Sequence, residues 1–393
     1  MAHARCLLWR QGKEALVAYY SCDSHVVEPP EVFEGLEDRF GSRAPRVLAN
    51  DKGDRTTVLL GGVPVPVGRF GIAGHRLDDP ATHERIARGY PGMNPGVHDP
   101  VERLKDQARD GIVGEVMYPS VNMLTFSLPD RDVVQAVFRR HNDWIRDYCS
   151  ESPERLIGVA CLPLPDVPAA VAELERVAAM GIRGVAIPCA APPDRPYHHP
   201  DYEPFWDAAE DAGLPITMHI FTGTSWDMGL PAHWGTPGNS IAGYTLAFSS
   251  LAATFVQLIC GGVAARHPRL RFVGAEFETG WVAHFLQRLD HATYRTRREA
   301  SPDLTMPPSE YFHRQFYVTF EDDELGLRQR DVIGIANMLW GNDYPHHDAI
   351  WPNSMAVLKR LFADVPGDEV RRLTFDNVVG LYGITLPDGV LAA

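Results

Sequence analysis

The feature that most constrains the fold of this chain is a regular alternation of short apolar segments with amphipathic segments. Helical periodicity and capping residues, such as Asp99 before Pro100 and Asp166 before the segment 169–180, predict helices between the apolar segments. Eight strands are predicted, at residues 16–25, 112–120, 156–164, 184–188, 215–220, 270–276, 315–321 and 337–343. This pattern predicts a parallel α/β fold, and eight strands match a closed (β/α)8 TIM barrel. An open doubly wound sheet is the alternative, but its glycine-rich motif G-x-G-x-x-G does not follow the first strand.

The length of 393 residues by itself suggests two or three domains. Eight strands in one barrel instead predict a single domain over residues 1–393, with its core at 17–383. A minimal barrel needs about 250 residues, and the surplus lies largely in two insertions, at 29–100 after the first strand and at 222–243 after the fifth. Loops that follow barrel strands lie on the face that carries chemistry, so both are expected to cover the active-site mouth. Surface or oligomer-contact elaborations are the alternative.

The net charge and the cysteine content indicate which partners and which compartment are expected. Thirty-seven Lys and Arg against fifty-one Asp and Glu give a net charge of −14, which argues against nucleic acid or an anionic membrane as a partner. The six cysteines form no C-x-x-C pair, so free thiols in a reducing cytoplasm are expected. We find neither a signal-peptide pattern at the N-terminus nor an apolar run of about 18 residues, and therefore expect no membrane helix.

Charged and imidazole side chains stand at the ends of three predicted strands. Asp23 and His25 are two residues apart at the end of the first strand and therefore point to the same face. His219 ends the fifth strand and Asp343 ends the eighth. Each residue alone is weak evidence, because capping and structural hydrogen bonds explain single polar residues. A barrel brings these ends onto one rim, so together they predict a divalent metal site, and their nitrogen and oxygen atoms suit Zn²⁺, Mn²⁺ or Fe²⁺.

Four stretches around these residues carry a resemblance to a known family. They read DSHVVEP at 23–29, RLIGVA at 155–160, HPRLRF at 267–272 and WGNDYPH at 340–346. The chain resembles the amidohydrolase superfamily, and within it the branch that includes aminocarboxymuconate-semialdehyde decarboxylase and the γ-resorcylate-type decarboxylases. The resemblance implies a (β/α)8 barrel with one metal ion, commonly in a homodimer. It also implies that Asp23, His25 and His219 are metal ligands, and that Asp343 binds the metal or moves a proton.

The chain departs from this family pattern at two of the strand ends. Many relatives begin with His-x-His, whereas Asp23 is the first partner here. Decarboxylases of the branch usually carry a histidine at the end of strand six, where this chain has Glu276. Glu276 can orient a metal-bound water, act as an acid or base, or bind a substrate cation. A salt bridge to a neighbouring arginine or lysine is the structural alternative.

Further candidate residues lie near these strand ends. Glu28 can accept a hydrogen bond from a ligand histidine, or it can cap a turn. His346 can be an acid, a base or a substrate contact, although exposure of at least one of His346 and His347 is expected. Three residues of the second insertion are read as pocket walls for a flat or apolar substrate, with loop packing as the alternative: Trp226, His233 and Trp234.

Two reactions fit such a site. In the first, a small carboxylated, aromatic or cyclic substrate loses CO₂ without oxidation, and Asp343 protonates the carbon. In the second, a metal-bound hydroxide hydrolyses an amide, lactone or related carbonyl compound. The decarboxylase-rich branch favours the first reaction, and the missing strand-six histidine favours the second. A non-catalytic binding protein on the same barrel is a third possibility. Zinc is the expected ion, with manganese or iron as alternatives.

Overall fold

A computed structural model of the chain describes residues 18–223, 239–296 and 301–386. Its strands, in chain order, are β1 Tyr20–His25, β2 Arg46–Ala49, β3 Thr56–Leu60, β4 Val63–Val65, β5 Gly114–Tyr118, β6 Leu156–Gly158, β7 Ala160–Cys161, β8 Val185–Ile187, β9 Ile216–His219, β10 Phe272–Ala275, β11 Phe316–Phe320 and β12 Met338–Trp340.

The α-helices lie between these strands and after the last one. They are α1 Leu36–Phe40, α2 Pro80–Arg88, α3 Pro100–Asp110, α4 Val121–Thr125, α5 Arg131–Cys149, α6 Val167–Ala179, α7 Glu203–Ala212, α8 Asn239–Leu246, α9 Phe248–Cys260, α10 Val263–Arg266, α11 Val282–Arg295, α12 Pro308–Gln315, α13 Glu324–Arg328, α14 Arg330–Ile333, α15 Ser354–Leu361, α16 Gly367–Arg371 and α17 Asn377–Tyr382.

The eight predicted strands form the barrel, and the predicted (β/α)8 fold is confirmed. Neighbouring strands are parallel in the orders β1-β5-β6 and β7-β8-β9-β10-β11-β12. The third barrel strand consists of two pieces, β6 and β7, and Val159 between them donates its N–H to the carbonyl of Met117 at 3.0 Å. On the other side the N–H of Asp343 reaches the carbonyl of Asp23 at 2.8 Å, which brings the eighth strand end against the first.

The strands are buried on both faces, as expected for the parallel strands of a barrel. Every residue of β9 is buried, and the helices cover the outside. Helix α9 approaches β10 closely, because a Cβ atom on Gly274 would lie 2.3 Å from a methyl carbon of Leu251. Phe255 of the same helix packs against the ring of Phe316, with 4.9 Å between centroids. These contacts hold the outer helices against the strands and thereby set the directions in which the strand ends point.

The segment Ile241–Cys260, which spans most of α8 and α9, is long and apolar enough to cross a membrane by length and composition alone. Uncharged serine and threonine residues interrupt its apolar run, and its mean hydropathy is 1.4. The expectation that the chain has no membrane helix stays a prediction. Its inner face packs on the barrel through Leu251 and Phe255. Its outer face exposes Ile241 and Tyr244. The packing is that of a barrel helix.

The first insertion forms a small antiparallel sheet, β2-β3-β4, followed by α2. Its later part lies at the rim, because the N–H of Ala73 donates to the carbonyl of Pro345 at 2.9 Å. The ring of Phe70 lies 5.7 Å from that of His346. The second insertion is described only at residues 222–223 and 239–243. The first insertion therefore reaches the strand-eight loop at the end of the barrel where the candidate ligands lie.

Candidate metal centre

Five side chains from four strand ends converge on one point of the rim. Asp23 and His25 come from β1 and His219 from the end of β9. Glu276 directly follows β10, whose last residue pairs with His219, and Asp343 lies three residues beyond β12. The structure therefore brings together the four residues predicted to converge from the strand ends, and it adds Glu276 to them.

The distances between these side chains match the spacing of atoms around a single ion. The Nε2 atom of His219 lies 3.5 Å from Asp23 Oδ1 and 3.4 Å from Glu276 Oε2. The Nε2 atom of His25 lies 3.6 and 3.7 Å from the same two oxygens, and 3.4 Å from Asp343 Oδ1. Ligands at about 2.1 Å from a tetrahedral ion are about 3.4 Å apart. The spacing therefore fits one ion.

The hydrogen bonding of the same atoms gives an independent test of a metal. Buried polar atoms almost always have a hydrogen-bond partner. Five buried atoms facing this point have none, namely Asp23 Oδ1, His25 Nε2, His219 Nε2, Glu276 Oε2 and Asp343 Oδ1. Two imidazole nitrogens and three carboxylate oxygens are donors that first-row divalent ions accept. The residues present therefore fit a divalent metal ion.

The remaining atoms of these ligands are held by the protein. His25 Nδ1 lies 3.0 Å from the carbonyl of Pro119, and His219 Nδ1 lies 3.0 Å from the carbonyl of Ile220. Each Nδ1–H therefore donates to a carbonyl, which leaves the Nε2 lone pair free to bind a metal. Thr319 donates its hydroxyl to Asp23 Oδ2 at 2.8 Å and accepts the N–H of Glu276 at 2.8 Å.

Glu276 and Asp343 have unusual backbone conformations. Their φ angles are +63° and +51°, in the left-handed region that side chains other than glycine rarely adopt. Such residues cost about 1–3 kcal/mol each and occur often at functional sites. In both cases the turn directly follows a barrel strand and directs a carboxylate toward the centre. These turns could not be predicted from the sequence, because neither residue is a glycine or an asparagine.

The carboxylates and imidazoles shift each other's proton affinities. Burial and the charges of Glu276 and Glu321 raise the pKa of Asp343 well above its usual value. Burial also acts to raise the pKa of Asp23, but the neighbouring imidazoles of His219 and His25 outweigh it and lower that pKa. Burial opposes protonation of His25, yet Asp23 and Glu276 raise its pKa to about 9. The concentrated negative charge attracts a cation to this point.

His346 lies beside the centre. Its Nδ1 is 3.0 Å from Asp343 Oδ1, its Nε2 is 3.0 Å from the hydroxyl of Ser120, and its ring stacks on His25 at 3.9 Å. Burial and the neighbouring His25 lower its pKa well below the usual value, so its ring is neutral. His346 is buried and His347 is exposed, which agrees with the expectation that at least one of them faces solvent.

Glu28 does not perform the role suggested for it near the ligand histidines. Its carboxylate accepts the backbone N–H groups of Val121 and Asn122, at 2.9 and 3.2 Å, and lies 3.4 Å from His141. His25, the candidate ligand three residues before it, donates to a backbone carbonyl instead. The capping alternative therefore describes Glu28. Of the other candidates, Trp226, His233 and Trp234 lie outside the described residues.

A buried polar network beneath the centre was not predicted from the sequence. Arg103 is fully buried and donates to Glu115 at 2.5 Å, to the carbonyl of His25 at 2.7 Å and to that of Tyr344 at 3.4 Å. Glu115 also accepts the hydroxyl of Ser24 at 2.9 Å. One guanidinium thus joins the loop after the first strand to the loop after the eighth. The signal in the sequence that could have indicated this network is Glu115, a charged residue inside the otherwise apolar strand β5.

Asn342 joins the same network next to Asp343. Its amide oxygen accepts the hydroxyls of Ser21 and Ser24, each at 3.0 Å, and its amide nitrogen donates to Asp110 at 3.0 Å. Asp110 accepts the N–H and the hydroxyl of Ser354 as well. The residue before Asp343 is thereby held by the first strand on one side and by α3 on the other.

Glu276 does not form the salt bridge considered as its structural alternative. Its ion-pair contacts within the described residues are with His25 and His219, and not with an arginine or a lysine. Its side chain retains some exposure, at 18%, so one edge of the carboxylate remains open to the mouth. Glu276 therefore belongs to the centre.

Comparison with known proteins agrees with the fold. The amidohydrolase family model matches residues 93–384. A γ-resorcylate decarboxylase of Rhizobium sp. (strain MTP-10005) is 26% identical over 296 residues, which cover 69% of this chain and 85% of that protein. An amidohydrolase structure from Mycobacterium avium subsp. paratuberculosis K-10 has a TM-score of 0.76 at 21% identity, covering 93% of this chain and 99% of that one.

A solved decarboxylase has the same fold. It is a 5-carboxyvanillate decarboxylase from Novosphingobium aromaticivorans, complexed with manganese and 4-hydroxy-3-methoxy-5-nitrobenzoic acid. Its TM-score is 0.67 at 17% identity, with 95% of this chain and 98% of that chain covered. Because the family model matches nearly three quarters of the sequence and its barrel is the fold observed, this chain belongs to the amidohydrolase family.

Proposed function

We propose that this protein is a divalent-metal-dependent enzyme that removes CO₂ from a small aromatic or cyclic carboxylic acid without oxidation. The observation that carries the proposal is the group of five buried, unpartnered donor atoms at the rim of the barrel. The alignment with γ-resorcylate decarboxylase supports decarboxylation as the reaction, since it extends over most of that protein's length.

Asp23, His25 and His219 would hold the ion, together with carboxylate from Glu276 or Asp343. A bound divalent ion supplies Lewis-acid chemistry, since it neutralises and orients oxygen atoms of the substrate. We expect zinc, with manganese or iron as alternatives, because imidazole and carboxylate ligands accept all three. The manganese in the 5-carboxyvanillate decarboxylase structure supports keeping that alternative.

Asp343 is proposed as the proton donor. Cleavage of the bond between the ring and the carboxylate releases CO₂ and leaves the bonding electron pair on the ring carbon, which must then gain a proton. Asp343 is buried at the rim and contacts His346, which in turn contacts Ser120. The imidazole of His346 lies against the Asp343 carboxyl group, with its Nδ1 3.0 Å from Oδ1. Phe70, beside His346, offers a flat apolar surface to an aromatic ring.

The first test is release of CO₂ from hydroxy- and amino-substituted aryl carboxylates by the metal-loaded protein. The proposal expects CO₂ without incorporation of oxygen from water into the organic product. Hydrolysis by a metal-bound hydroxide is the second candidate, favoured by the glutamate in place of the strand-six histidine. Transfer of ¹⁸O from labelled water into the product, without CO₂, would establish hydrolysis instead.

A homodimer in the cytoplasm is also proposed. The exposed, uncharged outer face of α8 and α9, with Ile241 at its edge, supports a second copy as a partner. The described cysteines Cys22, Cys149, Cys161, Cys189 and Cys260 are free thiols, which is consistent with a reducing compartment. Sedimentation at two concentrations tests the dimer, and a monomer at both would contradict it.

A further inference from the structure

We infer that Tyr118 positions the two histidines of the metal centre, and that Tyr382 of α17 holds Tyr118 in place from the opposite end of the barrel. The inference rests on the metal centre of the proposed function and adds two residues to it that bind no metal themselves. Both tyrosines are buried, and neither was a candidate from the sequence. They act through His25 and His219, and so are positioning residues.

The ring of Tyr118, the last residue of β5, contacts both imidazoles. Its centroid lies 5.9 Å from that of His25 and 5.1 Å from that of His219, with interplanar angles of 57° and 56°. Aromatic rings attract one another at such separations. The two histidines end β1 and β9, the first and fifth of the eight barrel strands. A ring that contacts side chains from both strands must lie between them.

The hydrogen bonds of the imidazoles leave a task for such a ring. In His25 and His219, Nδ1 bonds to a backbone carbonyl and Nε2 has no partner. One bond fixes the tautomer but still allows the ring to rock about that contact, which would move Nε2 away from the other donor atoms. A second contact on the ring itself removes this freedom. Tyr118 makes that contact with both imidazoles, whose centroids are 4.7 Å apart and whose planes are nearly perpendicular.

The backbone fixes Tyr118 beside the metal centre. Its carbonyl accepts the N–H of Val26 at 2.9 Å. The next residue, Pro119, supplies the carbonyl that lies 3.0 Å from Nδ1 of His25. The same short segment therefore carries the hydrogen-bond acceptor of one histidine and the ring that contacts both.

The hydroxyl of Tyr118 points away from the metal centre. It lies 3.4 Å from the hydroxyl of Tyr382, the last residue of α17. Gly184 directly precedes β8 and so lies at the end of the barrel opposite the centre, and a Cβ atom on it would lie 2.8 Å from the Tyr382 ring. The thiol of Cys22 lies beside both hydroxyls. Tyr382 therefore meets Tyr118 inside the barrel, from the far end.

Tyr382 is itself fixed, because α17 is anchored to the eighth barrel strand. At the start of α17, Asn377 donates its amide N–H groups to the carbonyl of Met338 at 2.9 Å and to that of Ile335 at 2.7 Å. A continuous set of contacts thus runs from α17 through the two phenol rings to the imidazoles. Loss of the Tyr118 ring should disturb both histidines without removing a metal ligand.

The experiment uses the full-length protein, stripped of metal by chelation and reloaded with Co²⁺, which accepts imidazole and carboxylate ligands. The visible absorption bands of bound Co²⁺ depend on the arrangement of its ligands. Tyr118→Leu is expected to change these bands and to weaken Co²⁺ binding by about 10–100-fold, the range for residues that support ligands. Tyr118→Phe keeps the ring, and is expected to keep the wild-type bands and to lose no more than about 5-fold in affinity.

Tyr20→Leu is the matched control, because Tyr20 is also a fully buried tyrosine and lies on the strand of His25. Its hydroxyl donates to the carbonyl of Glu154, and within the described residues its ring contacts neither histidine of the centre. This variant is expected to have the bands and the Co²⁺ affinity of the wild type. Wild-type bands in Tyr118→Leu would overturn the inference, and so would an equal change in Tyr20→Leu.

The link to α17 has its own test, which also serves if Tyr118→Leu does not fold. Tyr118→Phe and Tyr382→Phe each remove one hydroxyl of the same contact and keep both rings. Each is expected to weaken Co²⁺ binding by about 5-fold, and the double variant by about 5-fold as well, because the same contact is lost. A loss of about 25-fold in the double variant would show independent effects and overturn the link.

These measurements separate the inference from the proposed function. A wild-type protein that binds Co²⁺ but releases no CO₂ would overturn the proposed reaction and leave the positioning role intact. A wild-type protein that binds no Co²⁺ would overturn the metal centre, and the positioning role with it.

Discussion

Two buried polar clusters lie within a few residues of each other, and their hydrogen bonding differs. In the network around Arg103 and Glu115, charged groups are matched by partners on α3, β5 and the two loops they join. In the metal centre, five buried atoms that face one another have no hydrogen-bond partner. Buried polar groups normally have hydrogen-bond partners. The fully paired network around Arg103 therefore makes its region rigid, whereas the unpartnered atoms of the metal centre are positioned to bind an ion.

The largest expected effect comes from loss of a metal ligand. His219→Ala is expected to reduce metal affinity by more than about 100-fold and to abolish CO₂ release, because one of the two nitrogen donors that face the centre is removed. Thr319→Val, which removes only the hydroxyl that orients Asp23 and Glu276, is expected to reduce affinity by about 10–100-fold. Isothermal titration measures both. Equal losses in the two variants would contradict the division between ligands and supporting residues.

Removal of the buried guanidinium is expected to affect stability most. Arg103→Met leaves Glu115 buried without its charge partner, which should lower the free energy of unfolding by about 3–5 kcal/mol. The double variant Arg103→Met with Glu115→Gln should recover part of that loss, since no charge is then stranded. Denaturant unfolding of the metal-free protein measures both. A single variant as stable as the wild type would show that the network does not support the rim.

Addition of metal should change the stability of variants of the metal centre and variants of the Arg103 network differently. Saturation at 100 times the dissociation constant is expected to stabilise the wild type by about 2.7 kcal/mol, because the ion binds only the folded centre. The shift in thermal midpoint measures this effect. His219→Ala should show almost no shift. Arg103→Met should be less stable at every metal concentration, and a complete rescue of its stability by metal would contradict the distinction.

Stability should depend on pH through Asp110 of the network. Burial is the main cause that raises the pKa of this carboxyl to about 7, against hydrogen bonds from Ser354 and Asn342 that lower it. The folded state therefore binds the proton more tightly than the unfolded state, whose carboxyl has a pKa of about 3.9. The resulting stabilisation is present at low pH and is lost as the pH rises from about 4 through 7.

Asp110→Asn is the matched variant for this effect. The difference in unfolding free energy between wild type and variant should change across pH 4–7 and be constant at higher pH. Denaturant titrations at a series of pH values provide the measurement. Parallel profiles for the two proteins throughout this range would show that Asp110 does not titrate there.

The smallest expected effect belongs to Glu28. Glu28→Gln removes a carboxylate that caps α4 and should reduce stability by about 1 kcal/mol. Metal affinity should remain that of the wild type, because Glu28 does not contact the centre. A substantial fall in affinity would instead support the hydrogen bond to a ligand histidine that was considered from the sequence.

The barrel and four of its candidate metal ligands could be predicted from the sequence for one physical reason. Strand burial and helix capping are local, so Asp23, His25, His219 and Asp343 could be assigned to strand ends, and the barrel topology then places those ends together. Glu276 could be placed at the end of strand six and named as a candidate, but the left-handed backbone turn and the contact with Thr319 that direct its carboxylate over the centre could not be predicted. The Arg103 network likewise depends on partners distant in sequence.

The measurement that tests the metal centre most directly is the metal content of the purified protein, determined by elemental analysis and repeated after chelation and readdition of Zn²⁺ or Mn²⁺. The donor set at the rim predicts one ion per chain, lost on chelation and restored on readdition, with CO₂ release following the bound metal. A protein that contains well under one ion per chain and binds neither metal would contradict the account.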